Sequence, residues 1–311
     1  MIDLKDRRIL VTGGHGFLGK WVVAALREKN ADVWCPSHKN FDLLEPRGMD
    51  IQLMSNKVEI VIHLAAVVGG IGANMESPGR FFYENLQMGL NLIESSRLVG
   101  VKKFVQVGTI CSYPKYCPTP FKEESIWDGY PEETNAPYGI AKKALMVMLQ
   151  SYRQQYGFNG ITLIPVNMYG PGDNFNPRSS HVIPALIKRF IEAKKQNLPK
   201  VTVWGTGKVT REFLHVKDAA EAIVIATEKY DKPEPINLGT SDEIFIDTLA
   251  SMIGDYVGYE GKIVFDSLKP DGQPKRKVDA SRAKRDLGWV SRISLESGLQ
   301  QVIRSAMADP S

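Results

Sequence analysis

Tyr138 and Lys142 stand four residues apart, so on a helix their side chains share one face about a turn apart. A free phenol titrates near pH ~10; a neighbouring ammonium favours the phenolate and lowers that value. Such a pair is suited to hand a proton to a carbonyl oxygen as a hydride reaches its carbon. Thr109 offers a hydroxyl that can hydrogen-bond the same oxygen. Cys111 lies two residues beyond it and His181 follows later. A thiol and an imidazole make a second acid/base pair near neutral pH. Placed on opposite faces of a carbon centre, such a pair can invert it.

Upstream, the stretch Thr12-Gly13-Gly14-His15-Gly16-Phe17-Leu18-Gly19 has the spacing G-x-x-G-x-x-G, directly after an apolar run. Glycines let the backbone approach a pyrophosphate, and the following helix N-terminus presents free N–H groups to it. Three glycines alone are weak evidence, and so is an isolated Y-x-x-x-K. Their order carries the weight: strand, glycine loop, helix, a later strand ending in a hydroxyl residue, then the tyrosine–lysine pair. At the end of the second strand an acidic residue would hold the ribose hydroxyls of NAD. Here the run is Pro36-Ser37-His38-Lys39-Asn40-Phe41-Asp42, with the carboxylate late and the nearest charges basic. That favours NADP(H), with His38 and Lys39 near its phosphate.

These groups must be positioned by alternating strands and helices. Arg8–Thr12, Ala31–Cys35, Glu59–Ala65, Lys103–Val107 and Gly160–Val166 read as strands. Lys20–Glu28, Arg80–Val99 and Ala136–Tyr156 read as helices between them. The alternation implies parallel strands with crossover helices, hence an α/β, Rossmann-type doubly wound sheet. Tyr169–Ser180, rich in Gly, Pro and Asn, reads as loop. His181–Lys195 reads as a helix and Val201–Trp204 as a short strand. Ile236–Gly239 is expected to return to the first sheet. The expected division is a cofactor domain over residues 1–168 plus about 212–240. A smaller, discontinuous C-terminal lobe over 169–211 and 241–311 would take the substrate.

With 43% hydrophobic and 24% charged residues in a chain of 311, the composition is that of a soluble globular protein. The formal charge of +4 is too small to indicate nucleic acid, and it suits an anionic small molecule. No apolar run approaches the roughly 20 residues that span a bilayer. The N-terminal stretch has no signal-peptide character. Cys35, Cys111 and Cys117 have no metal-ligand spacing and cannot all pair. The expectation is a reduced, cytoplasmic protein with no metal, no nucleic-acid partner and no membrane.

The set resembles the extended short-chain dehydrogenase/reductase superfamily, and more closely the GDP-L-fucose synthase family of GDP-4-keto-6-deoxy-mannose epimerase–reductases. The stretches that carry this resemblance are Val68–Asn74 (VGGIGAN), Cys111–Lys115 (CSYPK), Thr134–Lys142 (TNAPYGIAK), Asn167–Phe175 (NMYGPGDNF), Ser180–Ile187 (SHVIPALI), Val203–Gly207 (VWGTG), Arg211–Val216 (REFLHV), Lys269–Pro274 (KPDGQP) and Leu287–Trp289 (LGW). They run through most of the chain.

The resemblance implies roles. Tyr138 and Lys142 match the reductase acid and its lysine, with Thr109 beside them where the superfamily usually carries Ser. Cys111 matches the epimerisation base and His181 the acid on the opposite face. Cofactor contacts are expected from Gly13, His15, Gly16, Phe17, Leu18, Gly19, His38, Lys39, Asp42, Leu43, Leu64, Ala65, Ala66, Val166, Asn167 and Met168, together with Tyr138, Lys142 and His181. Arg189, Arg211 and Arg276 match positions that hold the GDP-sugar, Arg forks being suited to phosphate oxygens; Trp204 lies with them. A homodimer is implied, with the two long helices Arg80–Val99 and Ala136–Tyr156 packing against their mates.

The chain departs from its relatives near the adenosine phosphate. His15 and His38 replace arginines there, which implies a pH-sensitive affinity for NADPH. The loop after Cys111 also differs, and relatives reduce other 4-keto nucleotide sugars, heptoses included. The leading expectation is C3/C5 epimerisation and NADPH-dependent C4 reduction of GDP-4-keto-6-deoxy-D-mannose to GDP-L-fucose. The alternative is a C4 reductase or an epimerase of another nucleotide-linked 4-keto sugar, a deoxyhexose or a heptose. A dehydratase would place an acidic pair where Ile110 and Cys111 stand. A cofactor-sensing regulator would have no use for both Tyr138 and Lys142.

Overall fold

The computed structural model describes residues 1–308. The apolar run at the N-terminus becomes β1 (Arg8–Thr12), with Ile9, Leu10 and Val11 fully buried. Then α1 (Phe17–Glu28) starts directly after the glycine turn, three residues before its apolar pattern begins. Extended backbone at Gly16 (φ −76°, ψ −179°) supplies the cap there. The chain continues through β2 (Asp32–Trp34), α2 (Met49–Ser55), β3 (Ile60–His63), α3 (Ile71–Glu76), α4 (Pro78–Leu98), β4 (Lys103–Val107), α5 (Ala136–Tyr156) and β5 (Gly160–Pro165). The second part comprises β6 (Asn167–Tyr169), α6 (Val182–Lys195), β7 (Lys200–Trp204), β8 (Thr210–His215), α7 (Val216–Lys229), β9 (Ile236–Leu238), β10 (Glu243–Phe245), α8 (Ile246–Val257), β11 (Lys262–Asp266) and α9 (Leu295–Ala308).

Six strands form one sheet in the order β2-β1-β3-β4-β5-β9, every neighbouring pair parallel. It is a Rossmann-like doubly wound sheet, and β9 returns to it as the sequence implied. From β1 the chain runs outward to β2 and then back across to β3. That reversal opens a crevice at the strands' carboxyl ends, where such sheets bind ligands.

Each face of the sheet is covered. Val22, Val23 and Leu26 of α1 pack with the alanine-rich face of α7 in one core. On the other side Leu92 and Ile93 of α4, Leu145 and Leu149 of α5 and Leu53 of α2 form another. A third core, built by Leu186, Ile187 and Phe190 of α6, Leu249 and Ile253 of α8 and Leu299 of α9, supports the β7–β11 pair.

Three details differ from the sequence reading. Tyr169 is not loop: it ends β6, which joins β8 and β10 in a three-stranded sheet. Loop follows from Gly170, where the glycines and prolines begin. The strand β8 lay hidden because all six of its residues are buried, including Arg211 and Glu212, so it shows no alternation. Finally Val278, Ala283, Leu287 and Trp289, assigned to the substrate lobe, pack into the core of the first sheet. Their apolar side chains complete the surface around α7 and β9.

Candidate active site

A cleft of about 980 Å³ opens across the carboxyl ends of the sheet and reaches the second lobe. At its floor Gly13 adopts φ +68°, and a Cβ there would stand 2.9 Å from the Ala65 amide nitrogen. The glycine therefore allows both the turn and its approach to the chain leaving β3. Gly16 caps α1 with no side chain, so the first N–H groups of the helix lack a side-chain acceptor. Those donors, at the positive end of the helix, fit a pyrophosphate. Thr12, which the sequence reading passed over, ties the floor together. Its Oγ1 accepts from the Leu64 and Ala65 N–H groups at 3.2 Å and lies 2.8 Å from His63 Nδ1.

Gly13, His15, Gly16, Phe17, Leu18, Gly19, Leu64, Ala65, Ala66, Val166, Asn167 and Met168 all line the cleft, as do His38, Asp42 and Leu43 at the β2 end. Lys39 does not line it. Lys39 and Asn40 form the outer part of the turn after β2, and Lys39 lies exposed outside the cleft. His38 Nδ1 stands 3.5 Å from Asp42 Oδ1. The cleft wall at this end thus presents the Ser37 hydroxyl, the His38 imidazole and the Asp42 carboxylate.

The sheet's centre carries the reactive groups. Thr109 follows β4, 8% exposed, and its Oγ1 accepts from the Cys111 N–H at 3.2 Å. This caps a short 3-10 turn, Ile110–Ser112. The Ser112 hydroxyl donates to the Gly139 carbonyl at 2.8 Å, drawing the turn against the first turn of α5. Tyr138 is thereby brought beside Thr109 and Cys111. Burial pushes the Tyr138 phenol well above its ordinary range, and Cys111 adds to this, while a hydrogen bond with Thr109 opposes it. Lys142 is not among the influences on the phenol, and desolvation is the largest of them. Lys142, 2% exposed, is itself pulled down to about 8 by burial. Tyr138 therefore holds its proton at neutral pH, the state a proton donor needs.

His181 caps α6 and faces the same cleft. Its edge is exposed, yet desolvation of the ring in the cleft and then the charge of Arg276 disfavour its imidazolium. Arg211 and Arg276 are each 7% exposed. Burial and then Arg276 disfavour the Arg211 charge, with Cys111 opposing them, and all three residues line the cleft. The Arg211 guanidinium donates to the carbonyls of Thr210, Gln273 and Asp271, each at 2.7 Å. Arg189 donates to the Thr202 carbonyl at 3.0 Å and lies 5.8 Å from the Trp204 ring centroid; Lys269 approaches the same ring at 5.3 Å. Trp204 is thus a half-exposed plate held between two cations.

Asp173 was also missed. It lines the cleft, burial pushes its carboxyl up to about 7, and Oδ2 has no partner. Its place in a Gly/Pro/Asn run made it read as a solvated loop residue. Cys35 packs on the first core, Cys117 is pushed up to about 11 by burial, and neither lines the cleft. His215 caps α7 by accepting from the Lys217 N–H. Among the described residues no His, Cys, Asp or Glu group could hold a metal ion, and no helix is long and apolar enough to cross a membrane.

Residues 9–239 match the NAD dependent epimerase/dehydratase family. The chain is 41% identical over 298 residues to GDP-L-fucose synthase 1 of Arabidopsis thaliana, covering 96% of this chain and 92% of that protein. A GDP-6-OMe-4-keto-L-xylo-heptose reductase from C. jejuni has a similar structure, with a TM-score of 0.90 at 30% identity, covering 97% of this chain and 98% of that one. The GDP-L-fucose synthetase of Naegleria fowleri bound to NADP superposes with a TM-score of 0.87 at 28% identity, covering 98% and 95%. With its glycine turn, its Tyr138–Lys142 face and this likeness along its whole length, the chain belongs to the NAD-dependent epimerase/dehydratase family and, within it, to the GDP-L-fucose synthases.

Proposed function

We propose that this protein converts GDP-4-keto-6-deoxy-D-mannose to GDP-L-fucose, inverting C3 and C5 and then reducing the C4 ketone with NADPH. The observation that carries the reading is the meeting of Thr109, Cys111 and Tyr138 with His181, Arg211 and Arg276 in one cleft. NADPH supplies a hydride to C4. Every other task falls to the chain.

The ketone acidifies the protons on C3 and C5. The Cys111 thiolate takes one of them, leaving an enolate whose oxygen Tyr138 and Thr109 hydrogen-bond. His181 returns a proton from the opposite face, inverting the centre, and proton exchange of both groups with solvent restores base and acid for the second centre. Desolvation and then the Arg276 charge disfavour the charged form of His181, so a substrate diphosphate on Arg276 would make it easier to protonate. After both inversions the C4 oxygen takes the Tyr138 proton as the hydride arrives, and the Lys142 ammonium stabilises the phenolate left behind. The turn at Gly13 and the first N–H groups of α1 would hold the cofactor pyrophosphate, and His15 and His38 its adenosine phosphate. Arg189, Arg211 and Trp204 would hold the nucleotide. In this reading residues 1–168 and about 212–240 hold the cofactor, and 169–211 with 241–311 hold the sugar.

The protein would act in the cytoplasm as a homodimer, in which the exposed faces of α4 and α5, carrying Tyr83 and Val147, meet their mates. The second reading, C4 reduction or epimerisation of another nucleotide-linked 4-keto sugar, draws on the likeness to the heptose reductase.

Incubation with GDP-4-keto-6-deoxy-mannose in deuterated water, followed by NMR with and without NADPH, tests the proposal. Deuterium at C3 and C5 and NADPH-dependent GDP-L-fucose support it. NADPH oxidation without exchange leaves a C4 reductase, and no reaction transfers the activity to another sugar.

A further inference from the structure

Gln273 sits in the Pro- and Gly-rich stretch between β11 and the chain's return to the first core, where a glutamine would ordinarily be solvated. It is instead 1% exposed, and it does not line the cleft. Both ends of its side-chain amide and its backbone carbonyl are engaged. Nε2 donates to the Pro114 carbonyl at 2.7 Å and to the Lys115 carbonyl at 3.2 Å. Oε1 accepts from Arg276 Nε at 3.0 Å. The backbone carbonyl accepts from Arg211 Nη1 at 2.7 Å. The partners fix the amide's orientation, since carbonyls only accept and a guanidinium only donates.

One residue therefore touches both buried arginines of the cleft and the segment that leaves Cys111. Burial and then the neighbouring Arg276 charge disfavour the charged form of Arg211, and neither arginine forms a salt bridge with a carboxylate among the described residues. Two like charges held side by side stay ordered only if their geometry is imposed from outside. We propose that Gln273 is the positioning residue that sets Arg211 and Arg276 in register with the Cys111 segment. It thereby fixes the diphosphate-holding side of the cleft relative to the base that removes the sugar proton. This rests on the reading of those arginines as diphosphate contacts and of Cys111 as the base.

Two variants separate the two ends of the brace. Gln273→Met keeps the length and removes every side-chain hydrogen bond. Gln273→Glu keeps an acceptor for Arg276 and loses the donors to Pro114 and Lys115. For each, three quantities are measured: the Kd for GDP, the rate at which iodoacetamide alkylates Cys111 mapped by mass spectrometry against Cys35, and the Kd for NADPH. Gln273→Met should weaken GDP about tenfold, what losing one charge-assisted hydrogen bond is worth, and should raise Cys111 alkylation severalfold. Gln273→Glu should raise alkylation in the same way while keeping GDP affinity close to the parent's. NADPH affinity should stay unchanged in both.

Unchanged GDP affinity and alkylation in Gln273→Met would overturn the proposal, as would a parallel loss of NADPH binding, which marks general loosening. If Gln273→Met does not fold, the alkylation rate of Gln273→Glu decides alone: unchanged, it overturns the brace. Absence of solvent deuterium exchange in the parent enzyme would count against the catalytic reading of Cys111, leaving the alkylation and GDP results to judge the brace.

Discussion

Gly139 packs so closely on Cys111 that a Cβ at Gly139 would stand 2.3 Å from the Cys111 carbonyl oxygen. The base proposed for epimerisation and the helix turn bearing the proposed reductive acid are thus locked by one backbone contact. We expect Gly139→Ala to destabilise the fold by about 1–3 kcal/mol, as overpacking does. That would override the ~0.5–1 kcal/mol by which alanine normally improves a helix interior. Exchange and reduction should fall together, because Cys111 and Tyr138 move apart as one joint opens. Urea denaturation beside both assays checks this; a stabilised variant would contradict the contact.

The two chemistries should separate at single residues. Tyr138→Phe removes the proton for the C4 oxygen and should slow reduction by about 10²–10⁴-fold, the usual worth of a positioned acid. Solvent exchange at C3 and C5 should persist at a reduced rate, since Thr109 still faces the enolate oxygen. Cys111→Ala should abolish exchange and leave NADPH affinity unchanged. If both substitutions depress exchange and reduction equally, the assignment of separate roles fails.

At the β2 end of the cleft His38 faces Asp42 across 3.5 Å, where the resemblance implies an arginine in relatives. An arginine offers a permanent charge and a fork for phosphate oxygens, where an imidazole offers neither. His38→Arg should therefore tighten NADPH relative to NADH by about tenfold, the worth of one charge-assisted contact. Fluorescence titration of both cofactors measures the ratio. Equal tightening of NADH would place the phosphate elsewhere.

Glu212 is fully buried, and its carboxylate accepts from the backbone N–H groups of Thr240, Ser241 and Val278. Burial nonetheless raises its carboxyl from 4.5 to about 7. The folded protein then keeps a proton that the unfolded chain releases. The stability this contributes is fully present below about pH 4.5 and is lost as pH rises through about 7. Asp173, raised from 3.8 to about 7, acts in the same direction. Glu212→Gln should therefore reduce the difference in unfolding free energy between pH 5 and pH 8, by up to about 3 kcal/mol. Urea midpoints at the two pH values test it; an unchanged difference would place the titration on other groups.

What the sequence determined by itself was whatever rests on neighbours along the chain. The turn at Gly13 follows from residues adjacent to it. So does the shared face of Tyr138 and Lys142, four apart on a helix whose ends, Ala136 and Tyr156, were readable from its pattern. The alternation of β-branched runs with helices sufficed for a parallel sheet. What only the tertiary structure decided depends on burial and on partners distant in sequence. Gln273 and Asp173 look like solvated loop residues until the fold encloses them, and Gln273 meets Pro114 across 159 positions. β8 carries a charged pair that periodicity cannot place inside, because the groups satisfying Glu212 come from residues near 240 and 278. Lys39 has the right charge, yet the turn after β2 carries it out of the cleft. How strongly the Tyr138 phenol holds its proton is likewise set by depth, and depth is a property of the packed molecule.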